Sequence, residues 1–91
     1  MSTARDTVHC RTPSPGKQGT NIDRWKYDIA RHAIVEAVDA AGSHGIPFAD
    51  LPTIVDEAVP ADRRRNFGSI TWYTTTVKLD LEARAELERL P

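Results

Sequence analysis

The sequence predicts a small, mainly α domain built from three helices with very little strand. Apolar residues recur at helical spacing in three separate segments, and residues that favour helix N-caps precede two of them. The chain has 91 residues, which suffice for one modest core. Hydrophobic residues make up 40% and charged residues 27% of it, which are ordinary values for a globular protein.

The first predicted helix begins after Asp23, a good N-cap residue, and ends at Gly42. Ile22 precedes the cap and can pack on Tyr27 as a hydrophobic staple. The apolar residues of this segment share one helical face, whereas the opposite face is mostly acidic. The predicted inward positions are Tyr27, Ala30, Ile34, Ala37, Val38 and Ala41.

A short strand is predicted at residues 46–48. Pro47 has no backbone N–H to donate to a neighbouring strand, which restricts this strand to the edge of a sheet. The second helix follows, with Pro52 in its first turn and Pro60 as its stop. Its apolar face consists of Leu51, Ile54, Val55 and Ala58. The next segment, PADRRRNFG, is predicted to be a polar connection without core residues.

The segment GSITWYTTTVKLDLEAR is ambiguous, because its first half is rich in β-branched and aromatic residues that favour strands. Neither face of such a strand is apolar, however. A helix instead places Ile70, Tyr73, Thr74, Val77 and Leu81 on one face. One helix held by tertiary packing is therefore predicted, with a break near Ala85. Extension of the helix through AELERLP, or a short strand there, remains open.

Two regions follow from this pattern. Residues 1–21 contain several Pro and Gly residues among polar ones and predict a flexible N-terminal tail, and residues 22–91 form the domain. The predicted core is Tyr27, Ile34, Val38, Leu51, Ile54, Val55, Ile70, Val77 and Leu81.

Composition argues against several function classes. The single cysteine, Cys10, excludes an internal disulfide and favours a cytoplasmic protein. No apolar run reaches the roughly 18 residues of a membrane span. The histidines His9, His32 and His44 lack metal-ligand spacing, and no nucleophile motif is present. We therefore expect a non-enzymatic protein with no cofactor, no metal and no membrane partner.

The arginine run Arg63, Arg64 and Arg65 is the sharpest charged feature, since the net charge is only −1. In a helix-turn-helix protein it would precede the recognition helix, where arginines reach DNA phosphates. Thr71, Thr75 and Thr76 would then face the groove of double-stranded DNA. The alternative is a solvated loop that has no ligand.

Two tryptophans suggest a different partner. Trp72 and Leu79 lie opposite the core face of the third helix, and Trp25 lies off the core face of the first. Large apolar residues outside the core are typical of protein interfaces. The sequence therefore also predicts a protein interface formed by Trp25, Trp72 and Leu79, most simply in a homodimer.

The predicted element order resembles that of a winged helix-turn-helix domain. TTVKLDLEARAELERLP is similar to the passage from recognition helix to wing in bacterial winged-helix proteins. PGKQGTNIDRWKYD together with GSITWYTTTVKLDLEARAELERLP resembles a small bacterial family known only as a domain of unknown function. The resemblance implies a winged-helix-like fold and no catalytic residue.

Two departures from the winged-helix pattern concern the wing. Ala85 stands where winged helices usually have Gly, and the sequence stops at Pro91 where a wing would turn back. We therefore expect either a chain truncated at the wing or a minimal, incomplete β-wing. The expected function is a binding module, either a DNA-binding regulator or a protein-interaction and dimerisation domain.

Overall fold

A computed structural model of the protein describes residues 6–12 and 19–87. Two short strands come first and four helices follow, with 3₁₀ turns between the helices. The elements are β1 (Thr7–Cys10), β2 (Thr20–Asp23), α1 (Arg24–Ala41), α2 (Leu51–Ala58), α3 (Arg64–Phe67) and α4 (Ile70–Ala83). This mainly α architecture is compatible with a winged-helix-like domain and confirms the predicted fold class.

The three longer helices form the body of the domain, since α1, α2 and α4 pack against one another. Helix α1 has the predicted bounds and ends at Gly42, whose φ of 61° suits a residue without a Cβ. Of the nine predicted core residues, six are buried, while Val38, Ile54 and Ile70 are partly buried against the core.

The ambiguous segment is helical throughout, as predicted. Ser69 caps α4, since its Oγ accepts a hydrogen bond of 3.2 Å from the Trp72 N–H. At the other end, the Glu86 N–H bonds to the Leu81 carbonyl (2.8 Å) and the Ala85 N–H to the Glu82 carbonyl (3.1 Å). These two bonds make a Schellman motif, with Ala85 in the left-handed region at φ 61°. The predicted break near Ala85 is confirmed.

The prediction of a flexible tail is wrong for the part of residues 1–21 that the structure describes. Strand β1 pairs antiparallel with β2, with Val8 opposite Ile22. Val8, Cys10 and Ile22 are all buried in the core. Residues 1–5 and 13–18 lie outside the described residues. The domain therefore includes an N-terminal hairpin that sequence periodicity did not reveal.

The expected position of the β-strands is also corrected, because the strands of this hairpin lie before α1. Within the described residues the only sheet is the β1–β2 pair, which precedes α1 instead of following α4. After α4 the chain turns through Ala85 to Leu87 without a strand, and residues 88–91 lie outside the described part. The described residues after α4 therefore contain no wing strand.

Two further predictions about connections are wrong. Residues 46–48 do not form an edge strand, because Phe48–Asp50 is a 3₁₀ turn that leads into α2. The polar connection after Pro60 is not free of core residues, since it contains α3, and Phe67 is fully buried. Gly68 then joins α3 to α4 with φ of 91°, a conformation that requires glycine.

A buried carboxylate joins the hairpin to the helices. Asp80 is fully buried on α4. Its Oδ1 accepts from the Arg11 backbone N–H at 2.7 Å, and its Oδ2 accepts from Tyr27 Oη at 2.6 Å and Arg84 Nε at 2.8 Å. Burial alone would raise the pKa of Asp80, but the hydrogen bonds from Tyr27, Arg11 and Arg84 outweigh it and hold that pKa below its ordinary value.

We predict that this carboxylate makes the domain sensitive to acid. Because its folded-state pKa lies below the ordinary value of 3.8, its contribution is present above that pH and is lost as pH falls through the folded-state pKa. Asp80→Asn should lower the free energy of unfolding at pH 7 by about 2–3 kcal/mol. It should also reduce the pH dependence of stability between about pH 5 and pH 2.

Urea unfolding followed by circular dichroism at several pH values measures both effects. Asp39→Asn is the matched control, since Asp39 is an exposed residue near the end of α1. It should leave stability and its pH dependence nearly unchanged. Equal slopes of stability against pH in wild type and Asp80→Asn would contradict the proposed role of Asp80.

The Schellman motif yields a second stability prediction. A left-handed conformation costs an L-residue with a Cβ roughly 1–2 kcal/mol, and glycine does not incur that cost. Ala85→Gly should therefore raise the free energy of unfolding by about 0.5–1 kcal/mol, after its larger backbone entropy in the unfolded chain is counted. Ala83→Gly, at the last helical position, is the control and should destabilise by a similar amount.

Candidate interaction surface

The outer face of α4 is the candidate surface. We define it as Trp72, Thr75, Thr76, Leu79 and Ala83, which lie opposite the buried positions Thr74, Val77 and Leu81 at 100° per residue. Trp72 is exposed, the other four are partly buried, and none of the five side chains carries a charge. A solvent-facing stripe of a helix normally carries charged or strongly polar residues. This face is therefore unusual for a surface that only meets water.

The exposed faces of the other long helices show the contrast. The outward residues of α1 include Asp28, Glu36 and Asp39, which are exposed and acidic. On α4, by comparison, Trp72 is 47% exposed and is one of two large apolar side chains in the described residues with high exposure. Leu79 is partly buried and lies outside the core cluster. The predicted pair Trp72 and Leu79 thus lies on one uncharged face.

Four aromatic rings pack in a row, and Trp72 is the last of them. Trp25 meets Phe67 edge to face at a centroid distance of 5.9 Å, Phe67 meets Tyr73 at 5.1 Å, and Tyr73 meets Trp72 at 4.8 Å. Since Phe67 is fully buried, the row runs from the core to the surface. The Trp72 ring is therefore positioned by packing before any partner binds.

Trp25 differs from the prediction that it lies off the core. It packs against the core cluster, and its ring is covered by the guanidinium of Arg63 at 5.0 Å. Lys26 lies between the two ends of the row, with Nζ 4.9 Å from the Tyr73 ring centroid and 3.2 Å from Tyr73 Oη. Trp25 thus supports Trp72 indirectly, through Phe67 and Tyr73.

The arginine run does not act as a unit, because its three side chains have different environments. Arg63 stacks on Trp25. Arg64 donates from Nη1 to Asp56 Oδ1 at 2.7 Å and from Nη2 to the Asp56 carbonyl at 2.9 Å, which satisfies an acceptor near the end of α2. Arg65 is exposed and has no ion pair within residues 6–12 and 19–87. One of the three arginines is therefore uncommitted.

The three threonines predicted to face DNA lie on or beside the outer face of α4. Thr71 is exposed, and Thr75 and Thr76 are partly buried. Acidic residues Asp56 and Asp62 flank the arginine run in sequence, and Asp56 is paired with Arg64. The surface around the threonines thus has little free positive charge with which to attract a phosphate backbone.

The described residues offer little for nucleophilic or metal chemistry. Cys10 is 1% exposed, and burial together with nearby Asp80 raises the pKa of its thiol to about 12, so it is protonated at neutral pH. No group of three His, Cys, Asp or Glu side chains is arranged to hold a metal ion in the described ranges. None of the described helices is long and apolar enough to cross a membrane.

Sequence reasoning missed the residues that position Trp72. Phe67 was assigned to a polar connection, and Tyr73 to the core face alone, although Tyr73 bridges the core and the surface. The available signal was the spacing of Phe67 and Tyr73, which lie on either side of Gly68 and Ser69. A turn at Gly68 brings two such rings together.

Comparisons with known proteins identify a family for this chain. No curated protein and no solved structure matches it. A family profile matches residues 7–91, which include the N-terminal hairpin, all four helices and the outer face of α4. The chain therefore belongs to DUF6958, a family of unknown function.

Proposed function

We propose that this domain is a non-enzymatic binding module that self-associates through the outer face of α4. The observation that carries the proposal is the uncharged character of that face, with half-exposed Trp72 near its start. Apolar side chains positioned at a helix surface are the usual anchors of protein interfaces.

Charge favours a second copy of this chain as the partner. A strongly charged partner would be attracted by a complementary charge, which the outer face lacks. Two copies of an uncharged face meet without like-charge repulsion. The outward side of α1 carries Asp28, Glu36 and Asp39, so two copies joined along α1 would bring like charges together.

The spacing of side chains also supports a symmetric pair. In an antiparallel pairing of two α4 helices, positions whose numbers add to the same value lie opposite each other. Trp72 then faces Ala83 of the second copy, and Thr76 faces its Leu79. Each large side chain therefore meets a small one, as ridges-into-grooves packing requires. A two-fold axis makes both halves of such an interface identical.

The prediction is that wild type forms a dimer and that Leu79→Asp is a folded monomer. A charge buried without a partner at an interface costs several kcal/mol, which exceeds the stability of a weak dimer. Thr53→Asp is the matched control, because it introduces the same charge at an exposed position of α2. Sedimentation equilibrium measures the mass, and circular dichroism checks that both variants are folded.

Tryptophan fluorescence gives an independent readout of the same dimer. In a Trp25→Phe background, Trp72 is the sole tryptophan of the chain, and dilution should shift its emission to longer wavelength as the dimer dissociates. A wild-type monomer at about 100 µM, where even a weak dimer forms, would contradict self-association.

DNA binding is the second candidate function, and the uncommitted guanidinium of Arg65 favours it. Arg65 precedes α4, where it can reach a phosphate while Thr71, Thr75 and Thr76 meet base edges. Arg64 is hydrogen-bonded to Asp56, and Arg63 stacks on the Trp25 ring. Arg65 is therefore the arginine whose substitution tests DNA binding without disturbing the fold.

Titration of labelled duplex DNA distinguishes the two candidates. If the domain binds DNA, Arg65→Gln should weaken binding and reduce the slope of log K against log salt by about 0.9. Lys78→Gln, which removes a positive charge that is paired with Glu82, should leave the slope unaltered. Absence of binding at about 50 mM salt would eliminate the DNA candidate and leave self-association as the proposal.

A further inference from the structure

Three arginines from separate parts of the fold line one open cavity. This cavity of about 400 Å³ lies where the N-terminal hairpin meets the start of α1 and the end of α4. Arg11 follows β1, Arg24 begins α1, and Arg84 follows α4. Glu86 and Tyr27 also line it. The proposed interface does not include any of these residues.

Arg84 is held in place by the buried carboxylate of α4. Its Nε donates to Asp80 Oδ2 at 2.8 Å, and its Nη2 donates to the His9 carbonyl at 3.1 Å. A guanidinium has five N–H groups, so about three remain for a ligand. Because Asp80 is fully buried and bonded on both oxygens, the orientation of Arg84 is fixed before a ligand arrives.

The other two arginines complete the lining in different ways. Arg24 Nε donates to Asp6 Oδ1 at 2.8 Å and its Nη2 to the Thr7 carbonyl at 3.5 Å, which leaves about three of its five N–H groups available. Arg11 is held at its backbone, where its N–H bonds to Asp80, whereas its guanidinium has no ion pair among the described residues. The backbone of Arg11 is therefore anchored by Asp80, while its side chain remains accessible to a ligand.

The charges around the cavity leave one cation uncompensated. Asp6 pairs with Arg24, Asp80 pairs with Arg84, and Arg31 pairs with the Glu86 carboxylate. Arg11 is the remaining cation. Pairing of Glu86 with Arg31 also reduces the repulsion that this carboxylate would exert on an anion in the cavity. The net field in the cavity therefore favours a negatively charged ligand.

We propose that this cavity binds the phosphate group of a small molecule. Guanidinium groups recognise phosphate and carboxylate through paired N–H···O bonds. Three of them, reaching the cavity from three elements, match the three peripheral oxygens of a phosphate monoester better than the two oxygens of a carboxylate. The volume is within the range of roughly 300–1,000 Å³ that is usual for small-molecule sites, so it also holds a small organic group.

The test is a titration with inorganic phosphate, observed by NMR at the arginine Nε–Hε groups. Sodium chloride at matched ionic strength is the reference. Wild type should show saturable shifts at Arg11, Arg24 and Arg84. Arg11→Gln keeps the backbone bond to Asp80 and should weaken binding at least tenfold, roughly the effect of losing a charged hydrogen bond. Lys78→Gln, which removes one positive charge outside the cavity, should bind like wild type.

Two further variants test whether phosphate binding needs the planar guanidinium and whether it is independent of the outer face of α4. Arg84→Lys keeps the charge and loses the planar fork, so it should also weaken phosphate binding. Leu79→Asp lies on the outer face of α4 and should bind phosphate like wild type, whatever happens to the dimer. Shifts no larger than those caused by chloride would overturn the proposal. So would equal effects of Arg11→Gln and Lys78→Gln, or acetate binding as tightly as phosphate.

Discussion

The hydrogen bonds of Asp80 determine how the parts of this domain fit together. A carboxylate without access to water is strongly unfavourable unless its oxygens accept bonds from well-placed donors. Here the donors belong to the segment after β1, to α1 and to the turn after α4. The bond from Arg84 can form within the end of α4 itself, whereas the bonds from Arg11 and Tyr27 need the hairpin and α1 in place. Burial of Asp80 with all its bonds therefore requires these three parts to be docked.

The same carboxylate also fixes the rotation of α4 about its own axis. This helix is apolar on two sides, with Val77 and Leu81 on one and Trp72 and Leu79 on the other. The helical period favours burial of the first side, which also carries Ile70 and Tyr73, but Trp72 and Leu79 make the second side apolar as well. Asp80, bonded toward Tyr27 and Arg11, removes the ambiguity. The outer face of α4 and the arginine cavity are thus both consequences of one buried ionic group.

The sequence predicted the helices well and the hairpin not at all, for physical reasons. Fourteen to eighteen residues give several turns of periodic pattern, as in α1 and α4. Strand β1 has four residues, of which Val8 and Cys10 are buried, and two alternating positions are too few to recognise. The sequence did not indicate the burial of Asp80, because a charged residue is ordinarily assigned to solvent. Its partner Arg11 is also 69 residues away in the chain.

The candidate site was predicted in part for the same reasons. Trp72 and Leu79 were identifiable because their helical positions follow from the period alone. The arginine run suggested one phosphate-binding patch, yet successive side chains on a helical turn point about 100° apart. Their partners, Trp25 and Asp56, come from other helices. Arg11, Arg24 and Arg84 are dispersed in the sequence, and only the folded chain brings them to one cavity.

The distance along the chain between Arg11 and Asp80 has a consequence for biosynthesis. The ribosome releases β1 early, but the carboxylate that anchors the segment after it belongs to α4, 69 residues later. Until α4 has been translated, β1 can pair with β2 and contact α1, but Val8 and Cys10 lack the cover that α4 provides. Contacts of such long sequence separation slow folding, and an unpaired strand edge attracts other chains meanwhile.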